Sequence, residues 1–174
     1  MRFAYADPPY LGLAAKFYGH LHPEAADYDR PEKHQELIDR LCSEFDGWAM
    51  SLHSPSLRAI LPMCPPDVRV AAWTKPFASY KKGVNPGYAW EPVIFRGSRR
   101  RTTGAETTIP DYCSVPITLR RGFQGAKPDR FVHWMLALLG VRPEDEFVDL
   151  FPGSGAVGKA WESWRNQTPL GLPA

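Results

Sequence analysis

Segments with the pattern of a β-strand alternate along the chain with segments that have the pattern of an α-helix, and this alternation constrains the fold most. Apolar residues recur at every second position or in short runs in the former, and every three to four positions in the latter. The strand-like segments are residues 1–6, 48–53, 68–75, 88–95, 111–119 and 146–151, and the helical segments are 31–45, 54–61, 127–140 and 156–164. Strands that alternate with helices form a mostly parallel sheet with helices on both faces. We therefore predict one α/β domain over residues 1–174.

Prolines and glycines indicate where these elements begin, end or are interrupted. Pro31 suits the first turn of a helix, and Gly140 suits the end of one. Pro92 lacks a backbone N–H, so we predict that the strand 88–95 lies at an edge of the sheet or contains a bulge. Residues 76–88 are predicted to be a loop, and residues 96–126 a basic and exposed insert.

Composition excludes several classes of protein. Hydrophobic residues make up 44% and charged residues 23% of the chain, as in soluble globular proteins. No apolar run approaches the roughly 20 residues of a membrane span, and no signal-peptide pattern is present, so we expect no membrane association. The three cysteines are widely spaced, which predicts neither disulfides nor a metal site and favours a cytoplasmic setting.

Positive charge is concentrated in one part of the chain. Residues 69–130 contain 12 Lys or Arg and 4 Asp or Glu, whereas the remaining residues contain 9 and 15. A solvated face is one explanation. The other is a polyanionic partner, of which nucleic acid is the first candidate.

A glycine turn follows the last predicted strand in the stretch EFVDLFPGSGAVG, residues 146–158. Gly153 and Gly155 would let a ligand lie against the main chain, and the next helix begins where negative charge is favoured. Asp149 would accept hydrogen bonds from an ammonium group. A ligand with both charges, such as an amino acid or the methionine part of S-adenosylmethionine, fits this pattern. The Lys-Ser/Thr ending of a P-loop is absent, which argues against a nucleoside triphosphate.

A second turn, Asp7-Pro8-Pro9-Tyr10, follows the first predicted strand. The exocyclic amino group of a base is a poor nucleophile because its lone pair is delocalised into the ring. A carboxylate (Asp7) and a rigid carbonyl (Pro8) that each accept one N–H would make that nitrogen more tetrahedral. Tyr10 would stack on the base. Such a turn beside a methyl donor would catalyse transfer mainly through proximity.

The two turns together resemble the amino-methyltransferases that modify adenine or cytosine, in the permuted order with the catalytic motif first. The nearest branch is the mRNA adenine-N6 methyltransferase family with its bacterial and phage DNA relatives. The likeness spans nearly the whole chain and includes Trp73-Thr74-Lys75, Glu91, Lys127-Pro128-Asp129, Asp149 with Phe151, Trp161, Trp164, Asn166 and Gln167. The resemblance implies a Rossmann-like class I methyltransferase fold with a curtailed sheet.

The resemblance also implies a cofactor, S-adenosylmethionine, and a set of roles. The implied catalytic residues are Asp7, Pro8, Pro9 and Tyr10. The implied cofactor-binding residues are Asp7, Lys127, Asp149, Phe151, Gly153, Ser154, Gly155, Asn166 and Gln167, with Lys127 near the methionine carboxylate and the Asn-Gln pair on the ribose. The expected substrate or nucleic-acid contacts are Lys75, Lys81, Lys82, Glu91, Arg99, Arg100, Arg101, Arg120 and Arg121.

Two departures from the mRNA branch bear on the substrate. Tyr10 replaces the usual tryptophan, and the Pro-Gly-Ser-Gly turn (152–155) is closer to the DNA enzymes. We therefore expect adenine-N6 methylation of DNA, with RNA adenine-N6 or DNA cytosine-N4 methylation as alternatives. A degenerate methyltransferase fold that binds nucleic acid or a protein partner is the alternative from another class. Segments 11–30 and 76–88 are expected to be loops that close over a flipped base, and a homodimer would help to grip the substrate.

Overall fold

The structure, a computed structural model, describes residues 1–20, 23–78, 82–97, 99, 108–117 and 126–167. The strands are β1 (Arg2–Ala6), β2 (Gly47–Ser51), β3 (Arg69–Thr74), β4 (Trp90–Arg96), β5 (Tyr112–Ser114) and β6 (Glu146–Asp149). The α-helices are α1 (Ala14–Tyr18), α2 (Pro31–Glu44), α3 (Leu57–Ile60), α4 (Asp129–Leu139) and α5 (Ala156–Gln167). Short 3₁₀ helices span Pro23–Asp29, Ser54–Ser56 and Leu61–Met63. The predicted strands and helices are thus present, most of them shorter at one or both ends.

The strands form one sheet in the order β5-β3-β4-β2-β1-β6. β1 pairs in parallel with both β2 and β6, and β3 pairs in parallel with β5. β4 is antiparallel to both of its neighbours, β2 and β3. The sheet is therefore mixed, with one reversed strand, and β1 has a partner on each side.

The predicted position of Pro92 is wrong, because β4 lies between β3 and β2 in the interior of the sheet. The Pro92 carbonyl accepts the Leu52 N–H at 3.1 Å, so this residue turns its backbone groups toward β2. β2 ends at Ser51. The missing proline N–H thus falls opposite Leu52, one residue beyond the paired part of β2. A proline is tolerated in an interior strand here because the ladder has already ended beside it.

Helices cover both faces of the sheet, as predicted. On one face, α4 and α5 bury a cluster that includes Phe3 and Tyr5 of β1. On the other face, α2 and α3 pack on Ala4 and Ala6 of the same strand. Successive residues of β1 therefore belong alternately to two separate cores. From Phe3 to Ala6 the strand is fully buried, and its side chains there are apolar or aromatic.

Helix ends follow local and distant signals. Gly140 ends α4 in the left-handed conformation at φ 71°, and its N–H bonds the carbonyls of Ala137 and Leu136, as predicted for a glycine cap. α1 lies within residues 11–30, which were predicted to be a loop. The Asp29 carboxylate accepts the N–H groups of Ala14 and Ala15 at 2.9 and 3.0 Å. The first turn of α1 is therefore capped by a residue that lies 15 positions after Ala14 in the sequence.

Within the described ranges, no helix combines the length and the apolar character needed to cross a membrane.

Replacing Phe131 by alanine should destabilise the fold strongly. The side chain is fully buried, and its ring contacts those of Tyr5, Trp73 and Trp134 at centroid distances of 6.1, 5.0 and 5.8 Å. The loss should be about 3–5 kcal/mol of unfolding free energy, measured by urea denaturation. Tyr112→Ala, at a ring that is 56% exposed, is the control and should change stability little. Equal losses for the two variants would contradict this account of the core.

Candidate active site

Most of the residues singled out by the sequence lie at one edge of the sheet, the edge at which the parallel strands have their carboxyl ends. Asp7 follows β1, and the glycine turn follows the adjacent parallel strand β6. Lys75 follows β3, which runs in the same direction. Because β4 is reversed, Glu91 lies near its start and pairs with Trp73 at this same edge. Parallel strands place ligands at their carboxyl ends, so this edge is the candidate active site.

Asp7 makes its contacts through one carboxylate oxygen. Its Oδ1 lies 3.1 Å from Lys127 Nζ and 3.4 Å from the Tyr10 hydroxyl. Among the described residues both hydrogen bonds reach Oδ1, which leaves Oδ2 for another donor. The side chain is 24% exposed, so a ligand from solvent can reach it.

Glu91 connects the Asp7 turn to two lysines. Its Oε2 accepts hydrogen bonds from Tyr10 at 3.1 Å and from Lys127 at 3.3 Å. Its Oε1 forms a short ion pair with Lys75. The Lys127 ammonium also lies 5.2 Å from the centroid of the Trp73 ring, where it gains a cation–π contact. Two carboxylates and two ammonium groups thus form one closed network.

Burial and charge oppose each other in this network. Burial raises the pKa of Asp7, and the Lys127 ammonium acts in the opposite direction. Burial would lower the pKa of Lys127, but Asp7, the Tyr10 and Tyr5 hydroxyl groups and Glu91 together outweigh it and hold that pKa well above its usual value. Burial would likewise raise the pKa of Glu91, but Lys127 and Lys75 hold it below its usual range. Lys127 therefore stays protonated and is the counter-charge of both carboxylates.

Tyr10 is held at its hydroxyl and against its ring. His53, which follows β2, stacks on the Tyr10 ring with a centroid distance of 5.9 Å and an interplanar angle of 8°. The Tyr88 ring in turn contacts the His53 ring in an edge arrangement, with 5.0 Å between the ring centroids. Sequence reasoning missed both residues. The signal for His53 was its position at the end of the strand 48–53, which becomes informative once β2 is known to neighbour β1.

The glycine turn has the open backbone that the sequence predicted. Gly153 and Gly155 have φ of 44° and 71°, and the Gly155 N–H bonds the Pro152 carbonyl at 2.6 Å. A side chain at Gly155 would be strained by that φ, although nothing lies within 4 Å of the place where its Cβ would stand. α5 begins directly after the turn, at Ala156. The turn is therefore an exposed curve of main chain at a helix start.

Asp149 stands beside this turn with half of its carboxylate unused. Oδ1 accepts the Phe151 N–H at 3.2 Å, whereas Oδ2 is buried and has no hydrogen-bond partner in the described part of the chain. Burial, with a smaller contribution from the charge of Asp7, raises the pKa of Asp149 to about 6. Phe151 packs edge-on against Tyr28 at 5.5 Å. Asp149 Oδ2 can therefore accept a hydrogen bond from a donor outside the chain.

Several of the predicted site residues have an ion pair in the structure, and two have a position in a helix. Asn166 and Gln167 occupy the last turn of α5, and their expected contact with the ribose stays a prediction. Arg99 is paired with Asp145, which precedes β6 at the opposite edge of the sheet. Lys127 bonds Asp7 and Glu91, and its expected place near a ligand carboxylate stays a prediction.

Of the remaining basic residues, Lys82 is exposed on the connection before β4. Lys81, Arg100, Arg101, Arg120 and Arg121 lie outside the described residues. A search of the described ranges finds no group of three or more His, Cys, Asp or Glu side chains able to hold a metal ion.

Comparison with solved structures identifies the fold. The M1.HpyAVI–SAM complex matches with a TM-score of 0.58 and 11% sequence identity over 94% of this chain and 77% of that chain. M1.HpyAVI alone matches with the same TM-score, 15% identity, and 94% and 76% coverage. The predicted Rossmann-like, class I methyltransferase fold is confirmed. No protein-family model and no curated protein matches the sequence.

Replacing Lys127 by methionine should destabilise the protein, because Asp7 and Glu91 would then face each other without the ammonium between them. Breaking a buried ion pair in this way costs about 3–5 kcal/mol of unfolding free energy near neutral pH. The cost should shrink as the pH falls and the carboxylates take up protons. Urea unfolding at several pH values measures both effects.

Lys75→Met is the matched control for that experiment. It removes one ammonium from the same network but leaves Lys127 between the two carboxylates, and Lys75 is more exposed, at 17% against 5%. Its cost should therefore be smaller. Equal costs for the two variants, or a Lys127→Met cost that does not depend on pH, would contradict the counter-charge role.

Proposed function

We propose that this chain transfers a methyl group from S-adenosylmethionine to the N6 amino group of adenine in DNA. The observation that carries the proposal is the adjacency of two turns on neighbouring parallel strands. Tyr5 of β1 is in register with Asp149 of β6, so Asp7 and the glycine turn project from the same edge. A base-binding turn and a turn suited to a zwitterionic nucleoside cofactor are the two halves that such a transfer needs.

The residues beside the glycine turn fit the proposed cofactor. The unpartnered Asp149 Oδ2 would accept from an ammonium or hydroxyl group, and the open backbone at Gly155 would allow close approach. Phe151, Gly153 and Ser154 complete the same curve of chain. The match to a fold that was solved with SAM supports this choice of cofactor. Asn166 and Gln167, in the last turn of α5, would bind the ribose hydroxyl groups.

When bound, S-adenosylmethionine supplies an electrophilic methyl group on a sulfonium centre. The chain's own residues prepare the acceptor. Asp7 Oδ2 and the Pro8 carbonyl each accept one N–H of the exocyclic amine, which directs its lone pair away from the base plane. Tyr10 offers its ring for stacking, while Glu91 and His53 hold that ring in place. The fixed Tyr10 ring and the carboxylate together orient the amine.

Lys127 favours the ionised form of Asp7 during this step. A protonated Asp7 would lose an acceptor oxygen and could no longer orient the amine. The ammonium 3.1 Å from Oδ1 opposes that protonation while leaving Oδ2 for the substrate. After transfer the nitrogen carries one proton too many, and Asp7 is the first acceptor on the path of that proton to solvent.

Adenine in DNA is the substrate that the sequence favours, on the basic stretch 69–130 and the Pro-Gly-Ser-Gly turn. Adenine in RNA and cytosine in DNA also have an exocyclic amino group that could accept the methyl group. The methylated nucleoside that forms distinguishes these alternatives. A binding module without catalysis would need neither an ionised Asp7 nor its buried counter-charge.

Asp7→Ala should abolish methyl transfer without unfolding the protein. The expected loss is roughly 100-fold or more, because the amine is no longer oriented. Labelled methyl from S-adenosylmethionine is followed into unmodified DNA and RNA, and the nucleosides are then separated. Asp39→Asn, an exposed acidic residue on α2, is the control and should retain the wild-type rate. Transfer that survives in Asp7→Ala, or cofactor binding with no transfer to either polymer, would oppose the proposal.

Cofactor affinity should fall as the pH drops through the raised pKa of Asp149, about 6. Below that pH the carboxyl is protonated and no longer pairs with an ammonium group. The dissociation constant should then rise by up to about tenfold per pH unit. Calorimetric titration with S-adenosylmethionine from pH 7.5 down to roughly pH 5 measures this slope. In Asp149→Asn the affinity should be weaker, and the slope should be absent; a slope that persists would argue against Asp149 as the ligand.

A further inference from the structure

Three aromatic rings, those of Tyr10, His53 and Tyr88, contact one another in a row that leads from the candidate site to the surface. Tyr10 is tied to Glu91 at its hydroxyl, and His53 stacks on its ring. The Tyr88 ring meets His53 at 5.0 Å with an interplanar angle of 61°. Each ring belongs to a different segment: the turn after β1, the turn after β2 and the connection before β4. Three separate segments thus converge on one aromatic surface.

The outer end of this surface is accessible. Tyr88 is 40% exposed, although a ring of this size is favoured in contact with other apolar groups. Phe77, on the same connection between β3 and β4, is 50% exposed. Neither ring is needed to fill the two buried cores, which do not include them. Exposed rings beside a site are available to a ligand.

The charge of the same connection complements an anionic partner. Residues 75–89 contain three lysines, and no Asp or Glu occurs among them. Lys82 is exposed on this connection, whereas Lys75 is engaged by Glu91. Exposed aromatic rings beside an exposed lysine suit a polymer that has flat bases on a charged backbone.

We propose that Tyr10, His53 and Tyr88 form a stacking surface for unpaired bases, so that the chain takes its nucleic acid as a single strand. This inference rests on the proposed function and specifies the form of its substrate. The target base occupies the Asp7 turn, and a neighbouring base stacks on Tyr88. Lys82 lies close to the backbone phosphates.

Paired bases cannot use this surface. In a duplex each base face is already covered by its neighbours, and exposing one costs a few kcal/mol of unstacking and unpairing. A single strand offers its bases without that cost. Single-stranded DNA and single-stranded RNA share this chemistry, and the same experiment compares them.

The test measures binding by fluorescence anisotropy at one fixed salt concentration. The probes are a labelled adenine-containing DNA strand of about 15 nucleotides, the RNA of the same sequence, and the DNA duplex. The variants are Tyr88→Ala and Tyr88→Phe, which keeps the ring. Tyr112→Ala removes an exposed ring (56%, against 40% for Tyr88) from the outer strand β5 and is the matched control.

A single strand should bind at least about tenfold more tightly than the duplex. Tyr88→Ala should weaken single-strand binding about tenfold, because one base loses its stacking partner, and should leave duplex binding unchanged. Tyr88→Phe and Tyr112→Ala should bind as the wild type does. A duplex bound as tightly as either strand, or a Tyr88→Ala variant that binds both strands at wild-type affinity, would overturn the inference. Thermal unfolding of each variant verifies that the fold is intact.

Methyl transfer, measured separately, keeps this inference distinct from the proposed function. Asp7-dependent transfer to duplex DNA, with no effect of Tyr88→Ala, would preserve the proposed function and overturn the stacking surface. Tyr88-dependent binding of single strands without methyl transfer to any polymer would support the surface and overturn the proposed function. Preference between the DNA and RNA strands identifies the polymer.

Discussion

A buried ammonium group organises the reactive edge of this protein. Lys127 stands at the start of α4, where a positive charge is unfavourable with respect to the helix dipole. It is retained there because Asp7 and Glu91 lie within 3.1 and 3.3 Å of it. Through this one group, the turn after β1, the start of β4 and the start of α4 are fixed to one another. The position of the Asp7 carboxylate therefore depends on a helix that is remote from it in sequence.

The opposite edge of the sheet has a network of a different kind. Asp145 accepts hydrogen bonds from the amino group of Met1, the Arg142 N–H and the Arg99 guanidinium. Burial would raise the pKa of Asp145, but these donors hold it below its usual range. Among the described contacts, its carboxylate has donors for both oxygens, unlike that of Asp149. Both oxygens of Asp145 thus have donors within the chain, whereas Asp149 Oδ2 has none among the described residues.

The sequence predicted the elements, the fold and the two turns, because each depends on local patterns: period-two strands, helical stripes, and prolines or glycines at their ends. It could not predict contacts that depend on the order of the strands. Pro92 was misplaced because nothing local shows that β2 stops beside it. The helix α1 was missed because its cap, Asp29, comes from another segment. His53 was overlooked for the same reason, since its value depends on β2 lying next to β1.

Lys127 shows what a resemblance leaves out. The resemblance implied a contact with the cofactor, but no local pattern pairs Lys127 with Asp7, which is 120 positions away. The length of α5, which continues to Gln167, was likewise not predicted. Long-range electrostatics and helix length were therefore the parts that sequence patterns did not determine.

The reversed direction of β4 has a consequence for how such a protein can change. β3 and β4 form a hairpin, so the connection between them leaves and re-enters the sheet at the reactive edge. Six residue pairs from Arg69↔Phe95 to Thr74↔Trp90 fix the register of these strands. Insertions or deletions within the connection can therefore alter what it contacts without displacing Glu91. The contacts of this connection and the position of Glu91 are separable here, and a lineage could change the former while preserving the latter.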